Sequence, residues 1–251
     1  MFKKITVAVA LTGLMAGMAY AGTAPKTGIN GSMHDMNTRT GVDKDSLGRT
    51  CVFCHTPHNA VSVNTAPLWN RSDIPTTPAA YQWQMPLNKA FTIGDPTVGP
   101  TRLCLSCHDG SIAVDSHLSN KAQAGKKKLA DGDAAYIKDL GKTHPVGFSY
   151  NDAAAAAGRG TSELMPTSTG FITAATADLA AFNTNARSGI ATSATKTIAS
   201  VLYGTTGVMT CASCHEVHNT TNAAPDTDGA YNYFLHAKEE NSAICLSCHV
   251  K

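Results

Sequence analysis

The sequence predicts a mostly irregular chain with short α-helices and little β-structure, and three observations lead there. Aromatic residues make up only 6% of the 251 residues, while Ala, Gly, Ser and Thr abound, so side chains alone supply too little bulk for an ordinary core. Pro67, Pro75, Pro78, Pro86, Pro96 and Pro100 crowd one stretch. Each fixes φ and removes a backbone donor, which bars long helices there. The segment 150–205 is rich in Ala, Thr, Ser and Gly and reads as a surface excursion, with a short helix candidate near Thr176 to Asn183. Further short helices are expected around the cysteine motifs and near Ala237 to Ser247. Something other than side chains must fill the middle.

The chain opens "MFKKITVAVALTGLMAGMAYA": two lysines, a short apolar run and a small-residue cleavage pattern ending at Ala21. Residues 1–21 read as a secretory signal peptide, with a retained N-terminal anchor as the alternative. Its removal leaves 251 − 21 = 230 residues with no other run apolar enough to span a bilayer. The formal charge of +2 includes Lys3 and Lys4, so the mature polypeptide is close to neutral, with no face suited to nucleic acid. The run Lys126-Lys127-Lys128 reads as a solvated loop or helix face, or as a docking patch for an acidic partner.

Eight cysteines form four C-x-x-C pairs, each followed at once by histidine: "CVFCH" at 51, "CLSCH" at 104, "CASCH" at 211 and "CLSCH" at 245. This is the c-type haem attachment word. The paired thiols Cys51/Cys54, Cys104/Cys107, Cys211/Cys214 and Cys245/Cys248 add across the two vinyl groups of one porphyrin. The next residue, His55, His108, His215 or His249, turns its imidazole onto the iron. A disulfide framework does not ask for histidine after every second cysteine. Structural zinc combines two knuckles rather than repeating one word, and a thioredoxin-like site occurs once. Four covalent haem c groups are therefore expected. Each oxidised haem adds a net −1, taking the mature protein from about neutral to about −4.

The words repeat at a higher level. "CVFCHTPHN" at 51–59 matches "CASCHEVHN" at 211–219, and "RLCLSCH" at 102–108 matches "AICLSCH" at 243–249. One domain, 22–251, is expected to hold pseudo-repeats 22–148 and 206–251, separated by the insertion 150–205.

Ten histidines less the four proximal ones leave six for four distal positions. His58 and His218 occupy the same place in each repeat, and neither easily reaches the far face of its own haem. His58 is expected to serve the haem at Cys104/Cys107 and His218 the haem at Cys245/Cys248. His34 is assigned to the first haem and His144 to the third. His117 and His236 are the spares, read as polar surface histidines with a lesser claim as ligands. Methionine is the weaker alternative for a distal ligand.

"SMHD", "CVFCHTPHNA", "PLWN", "LCLSCHDGSIA", "HPVGF" and "ICLSCH" resemble multihaem c-type cytochromes of the doubled C-x-x-C-H family. With four words, an export signal and this length, the chain is similar to the tetrahaem members that polymerise into extracellular filaments. The resemblance covers nearly the whole mature chain and is weakest in 150–205. It implies bis-histidine haems stacked in close pairs, a polypeptide wrapped around a continuous haem chain, and a distal histidine donated by a neighbouring subunit, for which His34 is the candidate. It also implies electron transfer without substrate chemistry. The expected partners are other copies in a filament, other electron-transfer cytochromes and an extracellular acceptor such as metal oxide. The location is extracellular or at the cell surface, with the periplasm as alternative. A monomeric periplasmic shuttle and a multihaem redox enzyme are the competing functions. About 58 residues per haem favours stacking surfaces over a compact shuttle.

Overall fold

Local sequence rules account for the few regular elements of the computed structural model, which describes residues 28–61, 66–71, 93–117, 126–156, 163–173, 190–219 and 233–250. The signal segment, the helix candidate at 176–183 and Pro75, Pro78 and Pro86 lie outside the described residues. Helix α1, Pro100–His108, starts with proline in its first turn, where a missing N–H costs nothing. It ends at Gly110, whose φ of +74° supplies the left-handed turn and whose N–H donates to the Cys107 carbonyl at 2.9 Å. Helix α2, Tyr150–Ala156, contains the alanine run that begins at Ala153. Helix α3, Ile198–Val201, is capped by the Thr197 side chain accepting from the Ser200 N–H. Helix α4 spans Ala243–Cys248. Strands β1, Gly170–Ile172, and β2, Thr192–Thr197, pair antiparallel with an irregularity between Gly170 and Ile172. The rest of the described chain is turns and irregular backbone. Among the described residues no helix is long and apolar enough to cross a membrane.

Buried side chains gather in each half. Val52, Phe53, Leu105, Ile112 and Leu140 are buried in the first. In the second, Tyr150, Phe171, Ile198 and Ala237 form one cluster and Ile172, Ile190, Ala243 and Leu246 another. Helix α4 lies on β1, where Ser247 Oγ accepts from the Ile172 N–H at 3.0 Å. This corrects the reading of 150–205 as a surface excursion: its described ends supply Phe171, Ile172, Ile190 and Ile198 to the core. A few large apolar residues scattered among Thr and Ser leave no periodic signal, yet burying each is worth about 1.5–3 kcal/mol.

The lysine run is tied down by contacts within the chain, although Lys128 remains exposed. Lys126 pairs with Asp43, Lys127 with Asp133 at 3.3 Å, and Lys128 Nζ donates to the Ser111 carbonyl at 2.7 Å. Together with Asp115, whose carboxylate accepts from the Asp43 and Lys127 backbone N–H groups, these contacts close the loop behind α1 onto the N-terminal segment. Buried Arg71 adds a second tie, donating from Nη1 to the Ala113 carbonyl and from Nη2 to the Val114 carbonyl, both at 2.6 Å.

Candidate functional site

Each cysteine word makes one helical turn. In the first and third words a 3-10 turn, Cys51–Phe53 or Cys211–Ser213, brings the following histidine N–H back to the first cysteine's carbonyl, at 2.8 Å for His55 and 3.0 Å for His215. The other two words lie on α1 and α4, with the His249 N–H donating to the Cys245 carbonyl at 2.9 Å. One turn between cysteines sets both sulfurs toward one side, with the imidazole immediately after them.

A second segment then fixes the imidazole. His55 Nδ1 lies 2.8 Å from the Pro67 carbonyl oxygen, His108 Nδ1 2.8 Å from that of Ala135, and His215 Nδ1 2.7 Å from that of Tyr233. A carbonyl only accepts, so in each ring Nδ1 carries a proton, and in the neutral imidazole Nε2 is then the nitrogen with the lone pair. That is how a metal-ligating histidine is oriented. In the first and third words the two returning segments are built alike. Thr56 N–H donates to Leu68 and Asn70 N–H to Cys54, while Glu216 N–H donates to Phe234 and His236 N–H to Cys214. Leu68 and Phe234 both sit at left-handed φ, +56° and +58°. This costs a residue with a Cβ about 1–2 kcal/mol, and it turns the preceding peptide so that its carbonyl meets the ring.

Opposite three of the four proximal rings stands a histidine from outside the words. Ring centres are 6.0 Å apart for His34 and His108, 6.2 Å for His55 and His218, and 6.2 Å for His144 and His249. A metal–imidazole bond is about 2.0 Å and a ring nitrogen lies roughly 1.1 Å from its ring centre, so two imidazoles sharing one iron have centres about 6.2 Å apart. Aromatic contact spans similar separations, but these three pairs each join one proximal ring to one ring from outside the words. His34 also packs on Phe234 at 5.0 Å, and burial, with His108 and His215 nearby, pushes its imidazole down to about 4, which keeps it neutral. His144 Nδ1 lies 2.9 Å from the Pro145 carbonyl, which again places a proton on Nδ1.

This pairing differs from the one expected. His34 stands by the second word rather than the first, His144 by the fourth rather than the third, and His218 by the first rather than the fourth. Sequence order suggested each distal histidine precedes its word; long-range folding brings the rings together in another order. His34 also folds back onto its own chain. His58 is exposed, and among the described residues no ring lies against it. The two spares are buried rather than on the surface. His117 Nδ1 lies 2.9 Å from the Asp115 carbonyl, its Nε2 is 3.8 Å from Asp45, and its ring packs on Phe53 at 4.7 Å. His236 is turned the other way, with Nε2 3.0 Å from the Ala212 carbonyl and a buried Nδ1 that makes no hydrogen bond. It takes the place of Asn70, whose Nδ2 donates to the Val52 carbonyl at 2.5 Å.

The eight cysteines form no disulfides, and their thiols act on one another along the chain. Cys54 interacts with Cys107 and Cys104, Cys104 with Cys211, and Cys214 with Cys248 and Cys245. The Cys104–Cys211 contact raises the Cys104 thiol and lowers that of Cys211, while burial pushes Cys214 up to about 12. Cys211 N–H donates to Thr101 Oγ1 at 3.1 Å, so α1 lies directly on the third word.

These residues fit haem. Among the described residues no three His, Cys, Asp or Glu side chains gather into a self-sufficient metal site. A porphyrin supplies four of iron's six ligands, so two facing imidazoles suffice. Met33 and Val217, next in sequence to His34 and His218, and Leu68 and Tyr233, in the segments that pin His55 and His215, are large apolar residues left exposed. The pins at Pro67, Ala135 and Tyr233 carry no sequence signal, because any residue offers a carbonyl. No protein-family model matches the chain, and no curated protein matches it.

Proposed function

We propose that this chain is a tetrahaem c-type cytochrome that carries electrons without transforming a substrate, exported and assembled into an extracellular filament. One observation carries the reading: proximal imidazoles locked by backbone carbonyls face second imidazoles at 6.0–6.2 Å. When bound, each haem supplies a reversible one-electron couple between ferric and ferrous iron. The cysteines anchor the porphyrin edges, and the carbonyl pins hold the proximal tautomer. At three of the four words a second imidazole would hold the iron together with the proximal one and leave no room for an exchangeable ligand, which suits a carrier and not a catalyst. The seating of α1 on the third word, where Cys211 N–H donates to Thr101 Oγ1 at 3.1 Å, supports a relay that passes from the second word to the third.

The filament assignment rests on the resemblance and on the large number of residues per haem. A monomeric periplasmic shuttle is the second reading, favoured by His34 standing against His108 of its own chain, which makes that ligand pair independent of a neighbour. The full chain, produced in a host that attaches haem c, tests both. Intact mass should give four haems, and the oxidised and reduced spectra should be low-spin and six-coordinate; a haem-free product or a high-spin fraction overturns the reading. Electron microscopy of material sheared from cells should show filaments, and monomers alone would establish the shuttle.

A further inference from the structure

We infer that the two C-x-x-C-H-x-x-H words exchange their last histidines: His218 serves the iron held by His55, and His58 serves the iron held by His215. The inference rests on the haem reading above and assigns a ligand pair within it. One half is visible in the geometry, where the His218 and His55 rings lie 6.2 Å apart with their planes 26° from parallel. The other half follows from inventory and from the repeat.

The inventory leaves one choice within the chain. His34 and His144 stand opposite His108 and His249. His117 is buried against Phe53 with its Nε2 turned toward Asp45 at 3.8 Å, and His236 has its Nε2 against the Ala212 carbonyl and packs on Phe171. The remaining histidine is His58, and the remaining proximal ring is His215, which its Tyr233 pin has already prepared with an available Nε2. The His58 backbone is held at the end of its word, its carbonyl accepting from Thr56 Oγ1 at 2.8 Å, while the residue itself is exposed.

The repeat supplies the direction. The first and third words share their turn, their returning segment, their left-handed residue and their carbonyl pin. When two equivalent units meet through equivalent surfaces, a contact from one to the other is answered by its counterpart in reverse. His218 crosses from the third word to the first, so His58 crosses from the first to the third. The first and third irons therefore form the clasped pair, in place of the first and second expected from chain order.

The test uses the haem-loaded full chain and deletes one haem at a time. His58→Ala should turn one iron of four high-spin, and so should His218→Ala. With Cys211 and Cys214 replaced by alanine, the His58→Ala effect should vanish and the His218→Ala effect persist. With Cys51 and Cys54 replaced, the reverse should hold. If the His58→Ala effect instead disappears on deleting the haem at Cys104/Cys107, or no iron changes spin, the exchange is wrong while the haem reading stands. A product without haem by mass overturns the haem reading itself. Should the three-haem chains fail to mature, an experimental density map of the wild-type holoprotein decides: His58 and His215 on one iron supports the exchange, and any other partner for His215 refutes it.

Discussion

Arg71 offers the sharpest test of how the two words of the first half are held together. Its guanidinium is buried and donates to two carbonyls, Ala113 and Val114, each at 2.6 Å. Residue 71 follows directly on the segment that pins His55, and residues 113 and 114 follow the second word, so this single side chain joins the supports of two proposed haems. A hydrogen bond from a charged donor is worth about 1.5–3 kcal/mol net, which gives about 3–6 kcal/mol for Arg71→Ala. Ala113 keeps a second donor in the Ser116 N–H at 3.2 Å, whereas Val114's carbonyl retains no donor among the described residues. Arg71→Lys should therefore cost about half as much, because an ammonium lacks the planar fork that reaches both oxygens at once. Urea unfolding of the haem-loaded chain, followed by circular dichroism, measures both. If Arg71→Ala costs less than about 1 kcal/mol, or Arg71→Lys costs as much as Arg71→Ala, the paired-carbonyl account is wrong.

Two other substitutions probe separate parts of the same reasoning. His236→Asn should leave all four irons six-coordinate and change stability by less than about 1 kcal/mol, because a carboxamide can replace the ring donor to Ala212, and the buried Nδ1 that is lost makes no hydrogen bond and only a 3.7 Å contact with Glu216; a high-spin iron in its optical spectrum would make His236 a ligand after all. Asp45 accepts from Arg49 Nε at 3.0 Å and Nη2 at 2.8 Å and from the backbone N–H groups of Leu47 and Arg49, which together hold its carboxyl well below the usual range. The folded state then binds fewer protons than the unfolded state, so the stabilisation is present above the ordinary aspartate value of about 3.9 and fades as pH falls below it. Asp45→Asn should flatten the fall in urea midpoint between about pH 4 and pH 2, and parallel curves for the two proteins would refute the role.

What the sequence makes legible is chemistry confined to a few neighbouring residues. The four words need only one helical turn each, and the structure forms those turns. Partner choice is different, because it depends on which segments meet. His34 and His108 are far apart in the chain and are brought together by the loop ties of Asp43, Asp115 and Lys127 together with Phe234. The returning segments show why even a repeat can be half visible. Pro67 lies 12 residues beyond His55 and Tyr233 18 beyond His215, so the second loop is longer and the equivalent residues fall out of register. They also differ in type: "PLWN" in one copy answers "YFLH" in the other, with no equivalent position identical. What the two copies share is backbone, a left-handed φ and a carbonyl aimed at Nδ1, and those features place few demands on side-chain identity. His236 entered the count as a spare histidine with a lesser claim as a ligand, and its counterpart Asn70 did not enter it at all. Their common position, each donating to a carbonyl of the word it supports, identifies both as braces. Ring orientation therefore decides the role where residue type misleads: a histidine whose Nδ1 meets a carbonyl offers its Nε2, and one whose Nε2 meets a carbonyl has already spent the nitrogen best placed to reach an iron.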